Sequence, residues 1–195
     1  MTLLDVYFDY RSPFAYVAAE VLPAFARRRG LELRWRPTDI MQLSNYAHGL
    51  PYSDIKRSYT VIDAIRTAEY HDVKMRVPKP HPVLSDTALR LAVSVGDDER
   101  FPALHGELFR AAWRDQRDIS SPGVLHACIE AVGGPVEAWL EAASSHVAAR
   151  QLTAIVDDAE KAGVFGVPSM VLEGEQFWGL DSLPMLEWRL DQRRE

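Results

Sequence analysis

The sequence contains a single cysteine, Cys128, among its 195 residues. One thiol cannot form an intramolecular disulfide, so a disulfide framework and an intrachain dithiol redox couple are both excluded. The surrounding segment LHACIEAV repeats apolar residues at helical spacing, which predicts that this thiol packs in a core. The six histidines are scattered and form no close ligand pair such as HExxH, so no metal site is expected.

The 28 acidic residues outnumber the 22 Lys and Arg residues, and the sequence has no long apolar run. The formal net charge of −6 argues against a nucleic-acid partner, because phosphate binding generally needs a basic surface. No apolar run approaches the roughly 18 residues that cross a bilayer, which argues against a membrane partner. Asp5 and Asp9 interrupt the first apolar stretch and no basic segment precedes it, so we predict no signal peptide and expect a cytoplasmic location.

The N-terminal segment has the pattern of a strand, a helix and a second strand. LLDVYFD, at residues 3–9, is a short β-forming apolar run that suits a buried parallel strand. Apolar residues then recur along one helical face over 14–25, and Gly30 supplies the stop. Residues 31–37 alternate between apolar and charged side chains. Together they predict a βαβ unit with a right-handed crossover.

The middle of the chain lacks this alternation, and several helical patterns follow one another from about residue 38 to 146. One predicted helix carries Ile55, Tyr59, Ile62 and Ile65. The last 50 residues return to the order αββα, with a hairpin at 169–178 and a final helix capped by Asp181. We therefore predict an α/β fold in two units: a discontinuous domain of residues 1–37 and 147–195, and an inserted all-helical domain of residues 38–146.

The junction of the first strand and helix, Tyr10-Arg11-Ser12-Pro13, is the first candidate site. Ser12 is placed as N-cap and Pro13 as the first helical residue, both preferred there. A group at this point meets unpaired N–H donors and the positive end of the helix dipole, which favours an anion by about 0.3 to 1 kcal/mol at exposed sites. Ser-Pro also begins many helices that do nothing else, so the pattern leaves Ser12 as either a cap or a catalytic residue.

Two further features lie near the end of the chain. The predicted order βαβαββα is that of thioredoxin, in which the proline before the hairpin is cis and lies beside the first helix; here that proline is Pro168. A cis bond would leave the Val167 N–H and C=O facing a cleft, where an extended peptide could pair with them. Asp181 follows the hairpin and either caps the last helix or binds the ammonium group of a peptide ligand.

FDYRSPFAY near the start and GVFGVPSMVLEGEQFWGLD near the end resemble the 2-hydroxychromene-2-carboxylate isomerases and the related kappa-class glutathione transferases. The resemblance spans essentially the whole chain and includes Lys56, Tyr59, Asp63 and Arg66 in KRSYTVIDAIRTA. It implies a thioredoxin-like, DsbA-like domain with a helical insertion, and a protein that is usually dimeric. Glutathione would bind in the cleft between that domain and the insertion. By this resemblance the glutathione-binding residues are Ser12, Val167, Pro168, Leu180 and Asp181.

The resemblance further implies that Ser12 meets the glutathione sulfur and is the catalytic residue. A hydroxyl at a helix N-terminus stabilises a thiolate and lowers the thiol pKa, but it cannot form the disulfide that a cysteine would. Glutathione is then a cofactor, and the substrate is a small aromatic carboxylate interconverted between 2-hydroxychromene-2-carboxylate and trans-o-hydroxybenzylidenepyruvate. Candidate substrate contacts are Tyr10, Arg11, Phe14, Lys56 and Trp178.

Some positions depart from the family pattern, and other functions stay open. Asp181 is followed by Ser182 where the family commonly has arginine, and Asn45 and Pro51 match the usual Asn and Pro pattern only loosely. Lys56 could equally form a solvated ion pair on its helix. The alternatives are a kappa-like transferase that conjugates small electrophiles, and a non-catalytic thioredoxin-like module that binds peptides along the Val167-Pro168 edge.

Overall fold

A computed structural model describes residues 2–49, 53–79 and 81–192 of the chain. Its first elements are β1 (Thr2–Phe8), α1 (Pro13–Arg29) and β2 (Leu31–Pro37). Six helices follow: α2 (Asp54–Tyr70), α3 (Asp86–Val95), α4 (Phe101–Trp113), α5 (Pro122–Ala131), α6 (Val136–Ser144) and α7 (His146–Lys161). The last elements are β3 (Ser169–Leu172), β4 (Glu175–Trp178) and α8 (Leu183–Gln192). The predicted order βαβαββα, with helices inserted after β2, is confirmed.

The four strands form one mixed sheet in the order β2-β1-β3-β4. β1 runs parallel to β2, with Val6 opposite Trp35, and antiparallel to β3, with Tyr7 opposite Ser169. The predicted hairpin closes through the two residues Glu173 and Gly174, which have φ angles of 50° and 85°. Left-handed conformations at both turn positions match the twist of the paired strands, so β4 begins at Glu175, directly after the turn.

Buried apolar side chains cover both faces of the sheet. α1 and α8 pack on one face, where the cluster includes Leu4, Val6, Leu22, Met170 and Leu186. α7 packs on the other face, where the cluster includes Tyr7, Val156, Ala159 and Val171. Full burial of each large apolar side chain contributes about 1.5 to 3 kcal/mol, so the sheet and its flanking helices form a stable frame for the loops at its edge.

A third cluster lies among the inserted helices and contains Leu89, Leu104, Leu108 and Cys128. Cys128 is fully buried, as its apolar neighbours predicted. Phe8, the last residue of β1, and Tyr10, two residues after it, pack into this same cluster. The division of the chain into domains of residues 1–37 with 147–195, and of residues 38–146, stays a prediction.

Two local details differ from the sequence-based expectations. Asp181 does not cap the last helix: it lies inside a 3-10 turn, Leu180–Ser182, and α8 begins only at Leu183. The chain bends at Gly179, whose φ of 79° starts this turn before the helix is reached. α6 was not predicted as a separate helix. None of the helices in the described ranges is long and apolar enough to cross a bilayer.

Candidate active site

Ser12 is the N-cap of α1, as predicted. Its Oγ accepts a hydrogen bond from the Ala15 N–H at 3.2 Å, and its own backbone is extended. Pro13 has no N–H, and within the described residues the Phe14 N–H has no acceptor. The start of the helix therefore presents a free amide donor, and the positive end of its dipole, beside the Ser12 hydroxyl.

The loop of residues 163–168, here termed the Val-Pro loop, meets α1 at Ser12. The Ser12 hydroxyl donates to the Val167 carbonyl across 3.3 Å. The Val167-Pro168 peptide bond is cis, as the thioredoxin-like order implied. Val167 is half-buried, and in the described part of the chain its N–H has no acceptor. Ser12 and the Val167-Pro168 bond, both predicted as site features, thus lie together, and the Val167 N–H has no partner among the described residues.

Hydrogen bonds from three directions fix the Val-Pro loop. The Ser169 hydroxyl donates to the Gly166 carbonyl at 2.7 Å, and the Gly179 N–H donates to the Pro168 carbonyl at 2.9 Å. The Asn45 side-chain amide donates to the Phe165 carbonyl at 2.8 Å. Asn45 therefore reaches the site, whereas Pro51 lies outside the described residues. Because these carbonyls are already bonded, the loop is held in one conformation around Val167.

Two exposed aromatic side chains lie on this loop and the adjacent strand. Phe165 and Trp178 are 46% and 48% exposed, and their ring centroids are 5.0 Å apart at 51°. A Cβ at Gly166 would lie only 2.9 Å from Trp178 Nε1, so this approach requires glycine. An exposed aromatic pair offers an apolar surface to a planar ligand. Phe165 was not predicted as a site residue, although an aromatic residue inside a glycine-bounded loop is a usable signal.

Leu180 and Asp181 follow Gly179, whose N–H bonds the Pro168 carbonyl of the Val-Pro loop. Leu180 is buried in the core, so only its backbone is available to a ligand. The Asp181 side chain is exposed, and no donor within the described residues bonds its carboxylate. It also occupies the space in which a Cβ of Gly179 would stand. A free carboxylate at this point can bind a cationic group.

The predicted substrate contacts are spread over different environments. Tyr10 is fully buried, with its hydroxyl 3.4 Å from His105 Nδ1 and its ring 4.6 Å from that of Phe109. Its assignment as a substrate contact is wrong, because the chain after β1 packs its Tyr10 side chain into the core of the inserted helices. Phe14 is half-buried on the first turn of α1, and Lys56 is exposed on the first turn of α2. Both stay predictions.

Arg11 is held by two carboxylates rather than free in a cleft. Its Nη1 donates to Asp39 at 2.6 Å and to Asp9 at 3.2 Å. Burial acts to raise the pKa of Asp39, but the hydrogen bonds from Arg11 and Gln42 outweigh it and keep the pKa below its usual value. Asp9 is fully buried; its burial raises its pKa, and Arg11 opposes that effect. A charged residue at a strand end is expected to be exposed, so the burial of Asp9 was not predicted from the sequence.

No group of three or more His, Cys, Asp or Glu side chains within the described ranges is arranged to hold a metal ion. The site itself offers a hydroxyl, an aromatic surface, and backbone donors and one carboxylate that have no partner in the described part of the chain. These are the groups that bind a small peptide-like molecule and stabilise an anion beside it.

The chain is similar to proteins of known name over nearly its whole length. A family model described as the DSBA-like thioredoxin domain matches residues 3–191. A 2-hydroxychromene-2-carboxylate isomerase of Sphingobium xenophagum is 30% identical over 188 residues, covering 94% of this chain and 95% of that protein. Glutathione S-transferase kappa 1 of Rattus norvegicus is 25% identical over 207 residues, covering 98% of this chain and 92% of that protein.

Comparison with solved structures finds the same family. A solved structure of 2-hydroxychromene-2-carboxylate isomerase superposes with a TM-score of 0.86 at 26% identity, covering 97% of this chain and 95% of that one. The chain therefore has a DsbA-like thioredoxin fold and belongs to the 2-hydroxychromene-2-carboxylate isomerase family of enzymes.

Proposed function

We propose that this chain is a glutathione-dependent isomerase that interconverts 2-hydroxychromene-2-carboxylate and trans-o-hydroxybenzylidenepyruvate, or a related aromatic carboxylate. The observation that carries the proposal is the Ser12 hydroxyl, 3.3 Å from the Val167 carbonyl, at a helix start whose Phe14 N–H has no acceptor in the described structure. Three curated relatives, at 27% to 30% identity, bear the name of that isomerase and support this choice.

The residues around Ser12 suit a glutathione molecule. The free N–H and the carbonyl of Val167 are the two backbone groups that a short extended peptide pairs with. Glutathione carries such a backbone at its cysteinyl residue and an ammonium group at its γ-glutamyl end. The exposed carboxylate of Asp181, unpaired in the described structure, is a partner for that ammonium. In this proposal Val167, Pro168, Asp181 and the backbone of Leu180 hold the cofactor.

Ser12 provides the chemistry that the protein itself contributes. Bound glutathione would supply a thiolate that adds reversibly to the substrate, so that a bond can rotate before the thiol leaves. The Ser12 hydroxyl, turned from the Val167 carbonyl toward the sulfur, donates to the thiolate and lowers the thiol pKa. The free Phe14 N–H and the helix dipole act in the same direction. A serine cannot form a disulfide, so the site carries no redox couple of its own.

An aromatic substrate has a surface to rest on in this arrangement. Phe165 and Trp178 together expose an apolar face beside the Val-Pro loop, which suits the benzene ring of a hydroxychromene. Arg11 is already bonded to two carboxylates; Lys56, on the first turn of α2, is the second cation that the proposal assigns to the substrate carboxylate. A homodimer in the cytoplasm belongs to the same proposal, and sedimentation of the purified protein tests the dimer.

The decisive assay mixes the purified protein with hydroxychromene carboxylate, with and without glutathione. We expect spectral interconversion of the two isomers only when glutathione is present, while the total glutathione concentration stays constant. Omitting the protein gives the spontaneous rate. Interconversion that proceeds equally well without glutathione would contradict the proposed cofactor, and no acceleration over the spontaneous rate would contradict the activity.

A second candidate function is conjugation of glutathione to small electrophiles. It is favoured by the 25% identity with a kappa-class glutathione transferase over 98% of this chain. The same mixture separates the two, because a transferase consumes glutathione and accumulates a stable thioether. If calorimetry detects no glutathione binding at millimolar concentration and Ser12→Ala changes no activity, the chain acts instead as a peptide-binding module.

A further inference from the structure

A fully buried carboxylate, that of Asp9, lies shortly before Ser12 in the chain. Its Oδ1 accepts from the Ser85 hydroxyl at 2.7 Å and from the Arg11 N–H at 2.9 Å. Its Oδ2 accepts from the Ile40 N–H at 3.1 Å and from the Arg11 guanidinium at 3.2 Å. Every partner is a donor, so both oxygens are satisfied as parts of an anion. Burial of a charge is expensive unless it is paired and hydrogen-bonded in this way.

Asp9 also determines the path of the chain into α1. Its backbone carbonyl accepts the Ser12 N–H at 3.0 Å, while its side chain holds the Arg11 N–H. The Tyr10 carbonyl in the same turn accepts from Trp113 Nε1 at 2.8 Å. With these groups fixed, the turn has little freedom. The direction in which Ser12 projects its hydroxyl follows from that turn.

The same carboxylate joins this turn to two distant segments. Ser85 immediately precedes α3 and is itself fully buried. Ile40 begins a 3-10 turn capped by Asp39, which binds Arg11 at 2.6 Å. A few residues later Asn45 donates to the carbonyl of Phe165 in the Val-Pro loop. The segment that contacts Asp9 thus also contacts the loop that meets Ser12.

We propose that Asp9 is a positioning residue, which holds the Ser12 hydroxyl at the place where it meets the glutathione sulfur and couples that place to α3 and the segment after β2. The inference rests on the proposed function, because it gives the Ser12 hydroxyl a sulfur to act on. Asp9 is not a catalytic residue, since a side chain with no exposed surface cannot touch the substrate. Its action passes through Ser12.

A double-mutant cycle on glutathione alone tests this. The ultraviolet absorbance of the bound thiolate is titrated in the wild type, Asp9→Asn, Ser12→Ala and the double variant, with glutathione affinity measured by calorimetry. We expect Asp9→Asn to raise the pKa of the bound thiol by about one unit while the affinity changes less than about threefold. In the Ser12→Ala background the same substitution should have no further effect, because the hydroxyl that it positions is gone.

Ser85→Ala is the second variant, in case Asp9→Asn fails to fold. It removes one donor to Asp9 but no helix cap, since the Ser85 side chain makes no capping bond. We expect a smaller rise of the thiol pKa, again absent in the Ser12→Ala background. Thr38→Val is the matched control: Thr38 is fully buried and its hydroxyl donates to the Arg36 carbonyl at 2.9 Å rather than to Asp9. This control should leave the thiol pKa unchanged.

The outcomes separate the two proposals. A wild-type protein that binds no glutathione, or does not lower its thiol pKa, overturns the proposed function and this inference with it. The role of Asp9 alone is overturned if the wild type lowers the thiol pKa but Asp9→Asn and Ser85→Ala leave that pKa unchanged. It is also overturned if they change the pKa equally with and without the Ser12 hydroxyl.

Discussion

The hydroxyl of Ser12 lies 3.3 Å from the carbonyl oxygen of Val167, although 155 positions separate the two residues in the chain. The Ser12 hydroxyl oxygen also accepts the Ala15 N–H at 3.2 Å. One side chain therefore both begins α1 and joins that helix to the Val-Pro loop. A ligand that accepts the Ser12 hydroxyl hydrogen therefore competes only with the 3.3 Å hydrogen bond to the Val167 carbonyl.

Ser12→Ala removes the cap and the donor together. We expect the free energy of unfolding to fall by about 1 kcal/mol, the usual loss for an N-cap serine. The isomerisation rate at neutral pH should fall at least tenfold and recover in part at higher pH, because the glutathione thiol then ionises without help. Denaturant titration and a pH-rate profile measure the two effects.

Ser12→Thr is the matched control for this prediction, since it keeps a hydroxyl at the N-cap. It should lose less activity and less stability than Ser12→Ala. A Ser12→Ala protein with an unaltered pH-rate profile would show that the hydroxyl acts only as a helix cap.

Asp181→Asn should weaken glutathione binding through its γ-glutamyl end. The carboxylate is exposed, so we expect the dissociation constant to rise only about fivefold, which is the range of exposed ion pairs. Calorimetry with glutathione and with the dipeptide Cys-Gly, which lacks the γ-glutamyl group, measures this. Binding of Cys-Gly should not change. Asp157→Asn, at another exposed carboxylate on α7, is the control; an equal loss in both variants would point to net charge alone.

His105 should make the protein less stable in acid. It is buried between Phe8 and Trp35, and burial, with a smaller contribution from Arg110, lowers its pKa from 6.5 to about 3. Between these values the unfolded chain binds the additional proton, so the free energy of unfolding decreases as the pH falls from 6.5 toward 3. The slope from this one residue is at most about 1.4 kcal/mol per pH unit.

His105→Leu should flatten this pH dependence, measured by denaturant unfolding at several pH values. The exposed His126→Leu is the control and should keep the wild-type slope. Parallel curves for the wild type and His105→Leu would mean that the ring is protonated in the folded protein.

Cys128 should be unreactive and dispensable for catalysis. It has no exposed surface, and burial raises the pKa of its thiol to about 11. A thiol reagent should therefore label the protein only after denaturant is added. Cys128→Ala should lower the free energy of unfolding by about 1 kcal/mol and leave glutathione-dependent turnover intact. Rapid labelling of the native protein, or lost turnover in a folded Cys128→Ala variant, would contradict this.

The strands, the first helix and the Val-Pro loop could be predicted because each leaves a local pattern. Alternation marks residues 31–37, and a serine followed by proline marks the start of α1. Their meeting at Ser12 and Val167 could be predicted only from the order of elements, since parallel crossovers have a fixed hand. These parts follow from short-range chemistry combined with topology.

The environment of individual polar residues could not be predicted in this way. Asp9 is buried because donors from Ile40 and Ser85, far along the chain, converge on it. The neighbouring Tyr10 is buried among the inserted helices, whose orientation a local sequence pattern cannot give. Conversely, α2 exposes Ile55 to 84%, which a helical repeat of apolar residues does not reveal. Burial is a property of the assembled fold.

The tight reversal at Glu173 and Gly174 determines which aromatic side chain of β4 faces water. With two residues in the turn, Phe177 points into the core and Trp178 stands exposed opposite Ser169. Inserting one residue there would shift every residue of β4 by one position, so that Phe177 would stand opposite Ser169 and Gln176 would take its place in the core. The apolar wall beside the Val-Pro loop would then lose its indole, and the core would have to admit an amide, so the length of this turn governs what the site can recognise.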